Sequence, residues 1–154
     1  MIALVQRVLQ ASVAIEGVET ARIGHGILAL VGVERDDGTE EAVRLAERLL
    51  AFRMFADAAG RMNLDLREAG GALLLVPQFT LAADTRRGRR PGFSTAAEPA
   101  RATALFDAFH AHLAARLDEV RTGSFGAHMH IGSVNDGPVT FHLRVAPAGG
   151  SSGD

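Results

Sequence analysis

Ala72-Leu73-Leu74-Leu75-Val76-Pro77-Gln78-Phe79-Thr80-Leu81, opened by Gly70-Gly71, is the stretch on which the fold turns. Its apolar character is continuous, with neither the alternation of a half-buried strand nor the stripe of an amphipathic helix. A short run of this kind next to glycines reads as a strand buried on both faces, so other elements must cover each side of it. Pro77 has no N–H to give to a ladder and marks a strand end or bulge. Upstream, Ala42, Leu45, Ala46, Leu49 and Phe52 fall at helical spacing after Asp37 and Thr39, two candidate N-caps. Earlier still, Ile2 to Ile15 reads as a strand ending in a turn at Glu16-Gly17, and Glu19 to Ile23 and Ile27 to Glu34 continue a meander. Downstream, polar residues from Asp84 to Ser94 form a loop, and Ala102, Leu105, Phe106, Phe109 and Leu113 mark a second helix. Two strands near Ala127 to Val134 and Val139 to Val145 close the chain around Asn135-Asp136-Gly137-Pro138. Strands at both ends of two helices predict a mixed α/β fold.

Composition narrows the chemistry. The chain has 154 residues, the size of one ordinary domain, and it shows no internal repeat. The Gly/Ser-rich tail from Pro147 to Asp154 reads as disordered, which leaves residues 1–146 as the domain. No cysteine is present, which excludes disulfides, thiolate catalysis and Cys-type zinc sites. All 16 basic residues are arginine, so lysine Schiff bases and a phosphate-loop lysine are excluded too. No apolar run approaches the roughly 20 residues that span a bilayer, and no signal-peptide pattern opens the chain. These features point to a soluble, cytoplasmic protein without a membrane partner. A net charge of −2 argues against a general nucleic-acid coat, so any such contact must be local.

Several motifs compete with plainer readings. Gly24-His25-Gly26 opens a loose dinucleotide fingerprint, but a strand rather than a helix follows it, and a hairpin turn is the better reading. His128 and His130 share a strand face, and a zinc site would need His142 on the next strand to join them, but no acidic ligand has an evident place and surface histidines are favoured. Gly92-Phe93-Ser94-Thr95-Ala96 falls one residue short of a nucleophile elbow and reads instead as a helix-capping Ser/Thr cluster. Arg86, Arg87, Arg89 and Arg90 fit a solvated charge run or a phosphate contact, and their place just after the Gln78-Phe79-Thr80 segment favours neither strongly. Gly137-Pro138, by its own residues, is a turn. With no persuasive Ser-His-Asp set, acyl transfer here would rest on backbone donors and on groups of the substrate.

Taken together, Gln6-Arg7-Val8 with Ala11-Ser12-Val13, Gln78-Phe79-Thr80-Leu81, Asp84 to Pro91 and Asn135-Asp136-Gly137-Pro138-Val139-Thr140 resemble the D-aminoacyl-tRNA deacylases, which hydrolyse the ester of mischarged tRNA. The blocks stand in the family's order and spacing over about Met1 to Val145. The resemblance implies a mixed-sheet, β-barrel-like single α/β domain with two main helices. It also implies a homodimer with active sites at the subunit interface, the acceptor end of aminoacyl-tRNA as partner, and no cofactor or metal. Gln78, Phe79 and Thr80 would line the ester pocket, with backbone N–H groups there holding the carbonyl oxygen. Gly137 and Pro138 would form a cis peptide whose carbonyls enter the other subunit's pocket, Arg7 would orient that turn, and Met129 would border the terminal adenosine. The arginines 86, 87, 89 and 90 would meet the acceptor end. Pro77 and Gly92 stand where the family usually has serine, so a role for that first serine does not transfer. Glycyl-tRNA, lacking a Cβ, is expected as a secondary substrate. Readings from other classes are a non-catalytic tRNA-binding module and a Thr80-nucleophile hydrolase of another small ester.

Overall fold

A computed structural model describes residues 1–86 and 88–148. Its elements run β1 (Ile2–Ile15), β2 (Val18–Ile23), β3 (Gly26–Gly32), α1 (Thr39–Leu50), β4 (Phe55–Ala56), β5 (Met62–Leu64), β6 (Ala72–Pro77), a 3-10 turn (Phe79–Ala82), α2 (Pro99–Ala114), β7 (Val120–Thr122) and β8 (His130–Arg144). β8 lies antiparallel along nearly the whole of β1, and β3 and β2 follow one another along its other edge. β6 joins β3 in parallel and β7 joins β6 in parallel, so α1 and α2 are both crossover helices. The result is the mixed α/β fold with a barrel-like sheet and two helices that the sequence predicts.

β6 is buried on both faces, as its run of apolar residues requires. Leu73 and Leu75 point into a core shared with Leu45 and Leu49 of α1 and Phe106 and Phe109 of α2. Leu74 and Val76 point the other way, into the curl of the sheet, against Val13, Ile23 and Leu28. Burying a large aliphatic side chain stabilises by roughly 1.5–3 kcal/mol, so this strand anchors two cores at once. It also comes unusually close to β3. A Cβ on Gly26 would stand 1.9 Å from the Ala72 carbonyl oxygen, so only glycine permits that approach.

Five expectations change. The strand from Ala72 does not reach Leu81: it ends at Pro77, and the chain tightens into the 3-10 turn. The bond at the Val31–Pro77 pair comes from Gln78 N–H, which donates to the Val31 carbonyl at 2.7 Å, so proline is tolerated there. Gly24-His25 is no hairpin. β2 and β3 keep one register against β1 (Ala11 with Ile23, Val8 with Gly26), so these residues kink one long antiparallel partner and there is no meander. Asp37 is no N-cap. Gly38 takes that position, its N–H bonded to Glu41 at 2.9 Å, while the buried Asp37 carboxylate binds the Met1 amine and the Glu34 N–H, both at 2.6 Å. Thr95 does not cap α2, which begins after Glu98; its hydroxyl donates to the Ala82 carbonyl and pins the end of the 3-10 turn. Finally, the two closing strands are one, β8, with Asp136 to Val139 bulging out of it.

Candidate active site

The carboxyl ends of parallel strands are where open α/β sheets place their ligands, and here β3 and β6 end together at Gln78. Beyond Gln78 the chain turns helical, so the N–H groups of Phe79 and Thr80 fall in a first turn, where no carbonyl of the turn itself can reach them. Among the described residues neither N–H has a hydrogen-bond partner, and two adjacent donors of this kind at a helical start are suited to a developing oxyanion. The Gln78 side-chain amide donates to the Thr80 hydroxyl at 2.5 Å, which fixes both side chains at the rim. Thr80 has no imidazole or carboxylate hydrogen-bonded to it among the described residues, so nothing there would turn its hydroxyl into a strong nucleophile.

Met129 borders the same strand end. The Cβ that Gly123 lacks would lie 2.7 Å from the Met129 sulfur and 3.7 Å from Pro77 Cδ, so Gly123 makes the room in which the thioether sits beside the Pro77 ring. On the other side, Asp84 and Gly92 exchange two backbone hydrogen bonds, at 2.8 and 2.9 Å, and close the arginine loop. Arg86 is committed within it, its Nε and Nη2 reaching the two Asp84 oxygens at 2.9 and 3.0 Å. Those side-chain bonds, helped by the Arg86 N–H, pull the Asp84 carboxyl down to about 2. Arg89 and Arg90 are exposed, and Arg87 lies outside the described residues. A Cβ on Gly92 would stand 3.8 Å from the Asp84 carbonyl, an ordinary contact, so crowding does not require glycine there.

Gly137-Pro138 is a cis peptide at the tip of the β8 bulge. Gly137 has φ of 148°, a conformation that favours glycine, and a Cβ there would come within 2.6 Å of Val139. The single residue of β1 opposite the bulge is Arg7. Its Nε donates to the Asp136 carbonyl at 3.0 Å and its Nη1 to the Met54 carbonyl at 2.8 Å, while the Asp136 carboxylate lies 3.2 Å from Nε. Asn135 closes the base of the bulge, accepting from Val139 N–H at 2.7 Å and donating to the Thr140 hydroxyl at 3.1 Å. Sequence reading missed both Asn135 and the Met54 carbonyl. An Asn four residues before the chain rejoins its strand was the available signal.

The fold does not bring this bulge to its own Gln78. Arg7 is in register with Ile27 and Ile27 with Leu73, so Gln78 lies five residues farther along β6, about 16 Å, and three strands across. His130 and His142 are likewise apart, in register with Ala14 and Leu4 at opposite ends of β1. Among the described residues no group of three or more His, Cys, Asp or Glu is placed to hold a metal ion. None of their helices is long and apolar enough to cross a membrane.

Comparison with known proteins bears on this arrangement. The family model described as D-Tyr-tRNA(Tyr) deacylase matches residues 4–144. The chain is 55% identical to a D-aminoacyl-tRNA deacylase of Citrobacter koseri, over 94% of this chain and 100% of that protein. It is 56% identical to a D-aminoacyl-tRNA deacylase of Thioalkalivibrio sulfidiphilus, over 96% of this chain and 99% of that one. Among solved structures, the c-Myc DNA unwinding element binding protein superposes with a TM-score of 0.91 at 34% identity, covering 96% of this chain and 100% of that one. A probable eukaryotic D-amino acid tRNA deacylase shares the fold, with a TM-score of 0.79 at 18% identity over 92% of this chain and 98% of its own. A match that spans every block around Gln78, Arg86 and Gly137-Pro138 places the chain in the D-aminoacyl-tRNA deacylase family.

Proposed function

We propose that this protein hydrolyses the ester joining a D-amino acid to the 3′ end of tRNA, releasing the free amino acid and intact tRNA. The observation that carries the reading is the pair of N–H donors, on Phe79 and Thr80, at an exposed strand end without an activated nucleophile. Such donors stabilise the oxyanion of the tetrahedral intermediate and act on the transition state more than on the ground state. The ribose 2′-hydroxyl beside the ester then positions or activates water, because its intramolecular proximity replaces a protein base.

Chirality is read by exclusion. The active form is a homodimer in which the Gly137-Pro138 carbonyls of one copy face the Phe79-Thr80 pocket of the other, leaving no space for a Cβ on one side of Cα. Support comes from the separation of the two elements within one chain and from the clamps that Arg7 and Asn135 place on an exposed tip. L-Aminoacyl-tRNA is rejected, and glycyl-tRNA, having no Cβ, passes the filter as a secondary substrate. Met129 borders the terminal adenosine, and the exposed arginines of the loop meet the acceptor phosphates.

Single-turnover hydrolysis of D- and L-tyrosyl-tRNA tests the reading. The D-ester is cleaved and the L-ester spared. Thr80→Ala costs about tenfold or less, whereas a tRNA ending in 2′-deoxyadenosine loses on the order of 10²–10³, comparable to losing an oxyanion donor. No turnover of either ester would leave a tRNA-binding module. A dead Thr80→Ala enzyme with an unimpaired deoxy substrate would make Thr80 the nucleophile.

A further inference from the structure

Phe79 and Phe93 form an aromatic pair that the reaction, as proposed above, does not use. Their ring centroids lie 5.1 Å apart at 49°, and the residues are 55% and 43% exposed. The other phenylalanine pairs are better covered: Phe52 and Phe141 are half-buried, and Phe106 beneath Phe125 is buried. In a chain with neither Trp nor Tyr, two phenylalanine faces left in solvent at the rim of a site call for an occupant.

Position identifies it. Phe79 contributes one of the two free N–H groups, so its ring stands directly beside the ester site. Phe93 packs on Phe79 and follows Gly92, the residue that closes the arginine loop on Asp84, so it links the ester site to the loop that carries the exposed Arg89 and Arg90. Met129 occupies the opposite border, beside Pro77. A single strand whose last base lies on the Met129 side and whose phosphates run toward Arg89 and Arg90 must pass its preceding base over the Phe79–Phe93 step. Aromatic faces interleaved with cations are the usual means of holding unpaired nucleic acid, because every base has a π-face.

We propose that Phe93, supported by Phe79, is the stacking platform for the nucleobase preceding the esterified terminal nucleotide of the substrate. This rests on the aminoacyl-tRNA reading. The platform makes the enzyme prefer a whole single-stranded 3′ end over an isolated aminoacyl-nucleoside, and it supplies affinity without reading sequence.

The test crosses enzyme and substrate. Phe93→Leu keeps apolar bulk and removes the π-face; Phe93→Trp restores it. Each is assayed on D-tyrosyl-tRNA, on the same tRNA with an abasic penultimate nucleotide, and on 3′-(D-tyrosyl)adenosine. The expected result is a KM about tenfold higher for Phe93→Leu on intact tRNA, the fold-change of one lost stack, with recovery in Phe93→Trp. Wild type shows the same rise on the abasic tRNA, the two changes together add nothing, and the loss on the adenosine ester is much smaller than on tRNA. Equal losses on all three substrates would overturn the platform and leave Phe93 as packing for Phe79. An abasic tRNA handled as well as the intact one would overturn it too, as would a Phe93→Leu effect that disappears at high protein concentration, which would assign the pair to a subunit contact. If wild type cleaves no substrate, the reaction is misread. Equilibrium binding of a short CCA-ended RNA, with and without the penultimate base, then still decides the stack.

Discussion

Arg7 and Arg86 each grip an aspartate, yet they sit in opposite settings. Arg7 is 15% exposed, and its guanidinium serves two main-chain carbonyls from different parts of the chain, Asp136 and Met54. Arg86 is 82% exposed and binds a carboxylate two residues away. The first pair fixes a bulge relative to the core; the second tidies a loop that water already solvates. Exposed ion pairs contribute little to stability, whereas a charged donor shared by partly buried carbonyls leaves both unsatisfied when it is removed. One arginine therefore holds the Gly137-Pro138 bulge, and with it the selectivity proposed above, while the other arranges its own loop.

Arg7→Ala should have the largest effect. Losing its charge-assisted bonds should cost about 2–3 kcal/mol, visible as a drop of several degrees in Tm, together with erosion of D-over-L discrimination. Arg7→Lys, which cannot fork to both carbonyls, should restore little of either. A stable Arg7→Ala enzyme with full discrimination would break the contrast. Asn135→Ala should follow at about 1 kcal/mol, since the Val139 N–H loses its acceptor while Arg7 still holds Asp136. Thermal melts paired with competition between the two esters measure both variants.

Arg89→Ala combined with Arg90→Ala should leave stability and saturated kcat nearly unchanged while raising KM. The log–log salt slope should flatten by about one, as expected on losing one or two single-strand phosphate contacts. An unaltered salt slope would count against phosphate contact. Arg86→Ala should move that slope less, because its charge is already offset by Asp84. The smallest effect concerns pH. Bonds from the Arg86 side chain hold the Asp84 carboxyl at about 2, below its usual value, so the contribution of the pair is complete above about pH 4 and is lost as the pH falls toward 2. An NMR titration of Asp84 midway near 4 would show that the pair does not persist in solution.

Much of this architecture is legible in the residues, because burial imposes a period. Leu73 to Val76 has no polar position, so both its faces had to be covered, and the 3.6-residue spacing of Leu45 and Leu49 or Phe106 and Phe109 betrays the covering helices. Legibility fails where main-chain geometry overrides side-chain pattern. Phe79 and Leu81 look like more of a buried strand, but the chain had already left the ladder after Gln78, and Phe79 faces solvent. The bulge of β8 failed for the converse reason: Asn135-Asp136-Gly137-Pro138 carries turn chemistry, yet the strand on either side keeps the same partner. The candidate site was readable only as a set of blocks. No periodicity shows that Arg7 and Met54 hold one end of it, since that clamp joins residues 47 apart in the chain.

The central claim is that pocket and chiral wall come from different copies of the chain. Mixing two impaired variants tests it most directly. Arg7→Ala disturbs the Gly137-Pro138 wall, and Phe79→Pro deletes one oxyanion donor at a first helical position, where proline is well tolerated. Unfolded and refolded together in equal amounts, they should cleave D-tyrosyl-tRNA no faster than the Arg7→Ala share alone but L-tyrosyl-tRNA only about half as fast as that share, because half of the Arg7→Ala pockets then face an intact wall from the other copy. A mixture that cleaves the L-ester as fast as its Arg7→Ala share alone would place wall and pocket in the same chain and contradict the account.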